Sequence, residues 1–222
     1  MKNWKGDLLW ASLLLIWVFI LMIPGTRTVF IQVTEAHSYV GGFVKFFILA
    51  SMGDLLGERI LKGKWHISHT FLLKGIVWGI MGMLVNLVFT VFTAGVAAAQ
   101  VIGKLPFEGS RLAQAFFGSA VMNVTFGPML YIYHKFGDLF VDMVYEKKEK
   151  NLADKITISA MVERVDWYRM VSFSWVTTCI FIWIPCHTIV FLLPPEYRVL
   201  ASAFLSILLG LLIAVSNKYK AQ

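Results

Sequence analysis

Asp54 and Glu58 stand four residues apart at the end of an apolar run. On a helix that spacing puts both carboxylates on one face. Ionisable groups at membrane depth face a cavity or a partner, so the pair could gate ions or relay protons. The competing and commoner arrangement puts both at the cytoplasmic end of a span, paired with Arg59 or Lys62. A second set, His134, Asp138 and Asp142, recurs every four residues. Imidazole and carboxylate on one helical face are metal-ligand types, but no second cluster completes a site. A polar face at the membrane interface accounts for them better, and no metal is expected. His66 and His69, near Lys64, are a weaker set of the same kind.

Cys186-His187 follows Pro185 inside another apolar run. A thiol and an imidazole could form a nucleophile and its base. Adjacent residues diverge on a helix, so His187 more naturally bonds a neighbouring helix or lines a pore. Asn86, Thr90 and Thr93, with Asn123 and Thr125, are the other polar residues inside apolar runs. They could bond across helices or wet a solute path. Gly-x-Ser-x-Gly, His-Glu-x-x-His and Gly-x-x-x-x-Gly-Lys motifs are absent, so nothing favours an enzyme and no cofactor is expected.

The elements that must position these residues are membrane spans. The chain has 222 residues, 58% hydrophobic and 15% charged, against about 45–50% and 25% for ordinary globular chains. Its aromatic share, 15%, suits Trp and Tyr at membrane interfaces. Phe71–Ile102 carries one charge, Lys74. As one helix it measures roughly 48 Å, longer than the roughly 30 Å hydrocarbon core. It should therefore tilt, protrude or break, with Gly95 the expected break. Gly75, Gly79 and Gly82 fall on nearly one face, where small residues let another helix approach closely, within the chain or from a second copy. This helix is the expected packing centre.

The preferred count is six spans within a range of four to six: Leu8–Ile23, Tyr39–Gly57, Phe71–Ile102, Leu112–Tyr133, Met170–Leu193 and Val199–Ser216. Pro24-Gly25 ends the first, and no signal-type cleavage site follows it. Thr26–Ser38 reads as a polar connection and Glu58–His69 as a basic one. Ser110 is placed to cap the fourth span. Gly127-Pro128 interrupts that span, because proline removes a helix hydrogen bond. Pro128 and Pro185 are expected to open the bundle locally, and Pro194-Pro195 makes a tight exit from the fifth span. Residues 135–169 form a charged cytoplasmic amphipathic segment within a single 1–222 transmembrane domain. Its stripe of Ile156, Ile158, Met161, Val162 and Val165 suits a helix lying on the membrane, and EKKEK at Glu146–Lys150 a solvated face. Cys179 and Cys186, seven apart, are about 10 Å apart on a helix, too far to bridge.

Net charge is +7, and its placement matters more than its size. Fourteen of the 20 lysines and arginines, Lys64 among them, fall in the N-terminus, the second and fourth connections and the C-terminus. That asymmetry puts both termini on the cytoplasmic side. Expected partners are the lipid bilayer, a small solute or ion and, through the glycine face, another copy of the chain. Nucleic acid is not expected.

Three stretches in order resemble the Mpv/PMP family of small multi-span membrane proteins of mitochondria and peroxisomes. The first is Gly53-Asp54 followed by Glu58, where the family has Gln. The second is Gly127-Pro128, then Tyr131, Tyr133, His134 and Asp138. The third is Trp183-Ile-Pro185, Phe191-Leu-Leu-Pro194 and Arg198-Val-Leu. The departures mark a divergent member. The resemblance implies a four-span fold and a channel or pore for small solutes, with Asp54, Pro128, Pro185 and Arg198 as matched positions. The expectation is an all-helical transmembrane bundle acting as a small-solute or ion channel, with Asp54 and nearby Glu58 setting charge selectivity. Arg59, Lys62, Lys64 and Arg198 serve as anchors. The alternatives are a non-transporting structural or assembly protein and, less favoured, an intramembrane lipid-acting enzyme. A prokaryotic cell membrane is the expected location, with mitochondrial or peroxisomal membranes as the alternative.

Overall fold

The computed structural model describes residues 3–151 and 155–220, without the side chains of 209 and 211–220. Among the described residues all regular structure is helical. The helices are α1 (Trp4–Met22), α2 (Pro24–Ala36), α3 (Ser38–Lys62), α4 (Phe71–Val101), α5 (Arg111–Lys150), α6 (Ile158–Glu163), α7 (Trp167–Arg169), a π-helical stretch (Met170–Trp183), α8 (Ile184–Leu192) and α9 (Pro195–Lys220). α7, the π stretch and α8 are continuous. Among the described residues five helical units are long and apolar enough to cross a bilayer: α1, α3, α4, α5 and the run Trp167–Leu192. The sixth expected span, Val199–Ser216, is helical in backbone, but much of its side-chain record, with Lys218 and Lys220, lies outside the described residues. Lys2 lies outside them too. The protein is an all-helical, multi-pass membrane protein.

α3 is the centre of packing rather than α4. Half of its most apolar window is buried, against a third for α4. The reason is two glycines about three turns apart, each meeting a different helix. A Cβ at Gly42 would lie 2.7 Å from the Gly82 carbonyl of α4, and one at Gly53 would lie 2.8 Å from the Ser206 carbonyl of α9. Both crossings are backbone against backbone, which only glycine permits. α3 and α9 run parallel, with Gly53 and Gly57 both against Gly210. Around this axis Leu49, Ala50, Phe89, Met122, Phe191 and Leu200 join α3, α4, α5, α8 and α9 in one core.

Several elements run on where a break was expected. α4 is unbroken at Gly95, which faces open space. α5 passes through Gly127-Pro128 for 40 residues, roughly 60 Å, so residues 135–150 extend it beyond the hydrocarbon rather than form a separate element. Gly127 lets Cys179 of the π stretch approach, 2.9 Å from where a Cβ would stand. Thr26–Ser38 is mostly helical rather than a loop. Pro24 opens α2 at a position whose N–H would be spare. Thr26 Oγ1 donates to the Ile20 carbonyl at the α1 end and to the Ile23 carbonyl, which also accepts from Arg27 N. Glu58 to Lys62 continue α3 until Gly63, at φ 70, ends it. Ser110 Oγ accepts from Ala113 N at 3.2 Å, capping α5.

The π stretch ends beside Pro185. Its hydroxyls follow the wider winding, with Thr177 and Thr178 donating to carbonyls five residues back. Proline has no N–H and clashes with the preceding turn, and the change of winding falls at that position. The 156–165 stripe is divided. Ile158 is exposed, whereas Val165 is buried with Leu139 and Met170. Cys179 and Cys186 are both free thiols.

The chain direction gives the bundle two unlike ends. Asn3 Nδ2 donates to the Gly63 carbonyl at 2.7 Å, so the start of α1 shares an end with the 63–70 connection and the last turns of α5. This is the basic end. The 102–110 connection and Pro194 lie at the far end.

Candidate functional site

Asp54 lies on α3 one turn past Ala50, and its Oδ2 accepts from Trp78 Nε1 of α4 at 2.7 Å. It opens into a cavity of about 320 Å³ at the basic end. Ser51, Glu58, His66, Lys74 and Asp138 also line it. Three helices, α3, α4 and α5, therefore bring acidic and basic side chains to one place. Glu58 is taken up by Lys62 at 2.9 Å, with His66 Nδ1 3.7 Å away. Lys74 pairs with Asp142 at 2.8 Å. Asp54 has no ion-pair partner among the described residues, and the nearest basic group to Asp138 is His134 Nε2 at 3.9 Å. His134 also lies against Trp78, ring centroids 3.8 Å apart. Ser51 Oγ, His134 Nε2 and Asp138 Oδ1 are buried and have no hydrogen-bond partners among the described residues.

Of the expected pairings, Glu58 with Lys62 forms. Arg59 instead holds Asp7 of α1 through two bonds, at 3.0 and 3.2 Å, and Trp65 Nε1 donates to the same carboxylate. Lys64 lies exposed in the connection at this end. Among the described residues no three His, Cys, Asp or Glu side chains gather closely enough to hold a metal.

A second cavity, about 330 Å³, opens at the far end between α4, α5 and α9. Asn86, Thr90, Thr93, Gln114 and Arg198 supply its polar lining. Asn86 Nδ2 donates to Ser38 Oγ at 3.3 Å. Thr90 and Thr93 donate to carbonyls of their own helix, the usual way for a span to satisfy a hydroxyl. Arg198 Nε donates to the Leu193 carbonyl at 2.9 Å, and Arg111 to that of Leu192 at 3.3 Å. Both cations thus sit at the C-terminus of α8, where the helix dipole favours them.

Between Lys74 and Asn86, α4 rises roughly 18 Å. Over that length Gly75, Gly79 and Gly82 press against Phe47, Phe43 and Gly42 of α3. The glycine face is used within the chain, and the helices between the two cavities are in close contact.

Asn123 and His187 belong to neither cavity. Asn123 Nδ2 donates to the Ser119 carbonyl at 2.8 Å, and His187 Nδ1 lies 3.2 Å from Asn123 Oδ1. His187 Nε2 lies 3.4 Å from Ser202 Oγ of α9. Ser119 Oγ donates to the Ile184 carbonyl at 2.7 Å. The group joins α5, α8 and α9, and Cys186 takes no part in it. Thr125 bonds its own helix. Pro128 and Pro185 line neither cavity, and Pro185 and Pro194 are exposed.

Sequence reasoning missed Trp78, Ser51 and Asp7. A Trp and a Ser inside apolar runs give no signal until the facing helix is known. Lys74 and Asp142 carried the better clue, as opposite charges near span ends.

Comparison with protein families, with curated proteins and with solved structures finds no match.

Proposed function

We propose that this protein is a small-solute or ion channel, of the kind the Mpv/PMP resemblance implies. The observation that carries the reading is Asp54 of α3, a carboxylate without an ion-pair partner among the described residues, opening into a charged cavity. Asp54 is exposed rather than packed away, and an ionisable group within a span normally serves a partner or a path. A second polar cavity at the opposite end supports the same reading. The basic end faces the cytoplasm, by the excess of lysine and arginine there, and a prokaryotic cell membrane is the preferred location. No catalytic step is assigned.

Purified protein in liposomes tests this, with ion and small-solute flux followed for the native chain and for Asp54→Asn. The expected result is flux that changes in selectivity or rate in the variant. No flux across a panel of ions and small metabolites, from folded protein, sinks the proposal.

A second reading, a structural or assembly protein, is favoured by one observation. Polar residues such as Asn123 and His187 are consumed by bonds between helices. It predicts that Asp54→Asn changes stability and function together or not at all.

A further inference from the structure

Arg111 and Arg198 come from two helices and reach the same place. Arg198 Nε donates to the Leu193 carbonyl, and Arg111 Nη2 to that of Leu192, the residue before. Two guanidinium groups, charged at any working pH, are thereby held close together. Neither has an ion-pair partner among the described residues. Glu196 stands in the first turn of α9 and acts on Arg198 without pairing with it. The C-terminus of α8 offsets about half a charge, so with Glu196 included the place stays positive. Arg198 also lines the far-end cavity, about 330 Å³. Its Nη groups make no bond among the described residues, and Phe191 supports the guanidinium at 5.9 Å. Its side chain leans toward the start of its helix, which is the far-end surface.

The rest of this cavity is of another kind. From Asn86 to Ala97 it follows α4 for roughly 17 Å, about the depth of one leaflet of hydrocarbon, roughly 15 Å. Its other polar side chains spend their donors inside the protein. Phe89, Ala97 and Val199 supply apolar wall. Thr90 and Ala94 line it and are exposed within a membrane span, so the wall is open toward lipid. Cations at the surface end and an apolar slot one leaflet deep match a lipid with an anionic headgroup.

We infer that the far-end cavity is a phospholipid site, with the phosphate held by Arg198 and Arg111 and one acyl chain lying along α4 between Phe89 and Ala97. Guanidinium forks suit phosphate oxygens, which accept charge-assisted hydrogen bonds. A soluble phosphate ester offers the arginines the same group but has no use for a slot of that depth. The inference stands apart from the channel reading, which then rests on Asp54 and the basic-end cavity.

Native mass spectrometry of the full chain, released from detergent, is the test. Phosphatidylglycerol, phosphatidylcholine and glycerol phosphate are the separate probes. Phosphatidylglycerol is expected to bind, and phosphatidylcholine severalfold more weakly, because its choline cancels the phosphate charge. Arg198→Gln should weaken phosphatidylglycerol about tenfold, and Arg111→Gln, at an exposed position, severalfold. Thr90→Phe keeps both cations but narrows the slot, and should also weaken it severalfold. Lys64→Gln removes an exposed cation from the opposite end and should change nothing. Thermal unfolding in the same detergent shows which variants fold, and if Arg198→Gln does not, Arg111→Gln and Thr90→Phe decide. Native-level binding in the folded far-end variants, or an equal loss in Lys64→Gln, overturns the inference. So does displacement of the lipid by glycerol phosphate at equal concentration, or a loss in the arginine variants that Thr90→Phe does not share, since either makes the ligand a soluble phosphate.

Discussion

Asn123 and His187 come from α5 and α8, and each meets its partner only inside the bundle. Leaving a buried polar group unbonded costs about 1–3 kcal/mol. Asn123→Ala strips His187 Nδ1 of its partner and should lower unfolding stability in detergent by about that amount. Because the two side chains share one network, His187→Ala added to it should cost less than the sum of the single changes. Denaturant titration of the two single variants and the double variant checks this. Strictly additive losses would mean that the 3.2 Å contact carries no energy. Asp54 differs in kind. Its bond from Trp78 occupies one oxygen and leaves a carboxylate facing a cavity, so its substitution should show in flux before it shows in stability.

At the scale of the helices, glycines decide which faces meet. A Cβ at Gly82 would collide with the Gly42 carbonyl of α3, a backbone atom that cannot move aside as a side-chain tip can. Gly82→Ala should therefore cost about 1–3 kcal/mol, the usual range for overpacking. Gly95 lies on the same helix, with nothing within 4 Å of where a Cβ would stand. There the same change should stabilise by about 0.5–1 kcal/mol, because alanine loses less backbone freedom than glycine on forming a helix. Thermal unfolding of both variants in one detergent is the comparison. If Gly82→Ala is neutral, α3 and α4 do not cross backbone to backbone. Gly95 also explains why α4 does not break. A glycine permits a bend, but one without a proline, an inserted side chain or a π-bulge does not force it.

Over the whole molecule, charged contacts fasten the basic end. Arg59 ties α3 to Asp7 of α1, Lys74 ties α4 to Asp142 of α5, and Arg164 ties the segment after α6 to Glu146. Glu146 lies beyond the membrane part of α5. Lys150 first and Arg164 second hold its carboxyl down to about 2, from an ordinary 4.5. A carboxyl lowered on folding stabilises the fold fully above 4.5 and loses that contribution as pH falls toward 2. Spin labels at Lys148 and Ala160 should thus give one narrow distance distribution at pH 7 that broadens below about pH 4. Arg164→Gln should broaden it at every pH. A distribution in that variant as narrow as the native one at pH 7 would show that α6 is held by Val165 packing alone.

The membrane class, the helical fold and the approximate starts of the spans were legible in the sequence. Long runs without charge admit only a helix when no water is present to satisfy the backbone. Ser110 as a cap, the glycine face of α4 and the Glu58–Lys62 pair were legible for a related reason. Each depends on neighbours within a few residues or on the period of one helix. The tertiary structure decided what depends on a facing helix. It made α3 the axis, because Gly42 and Gly53, about three turns apart, meet two different helices far along the chain. It gave Arg59 to Asp7, 52 residues away, since the start of α1 comes back to the end of α3. It carried α5 through Pro128, where the approach of Cys179 to Gly127 holds the neighbouring helix close. It also gathered Ser51, Asp54 and Asp138 from two helices around one cavity. A single helix specifies the direction of a side chain, and only the helix packed against it determines whether that side chain meets a partner, lipid or an open space.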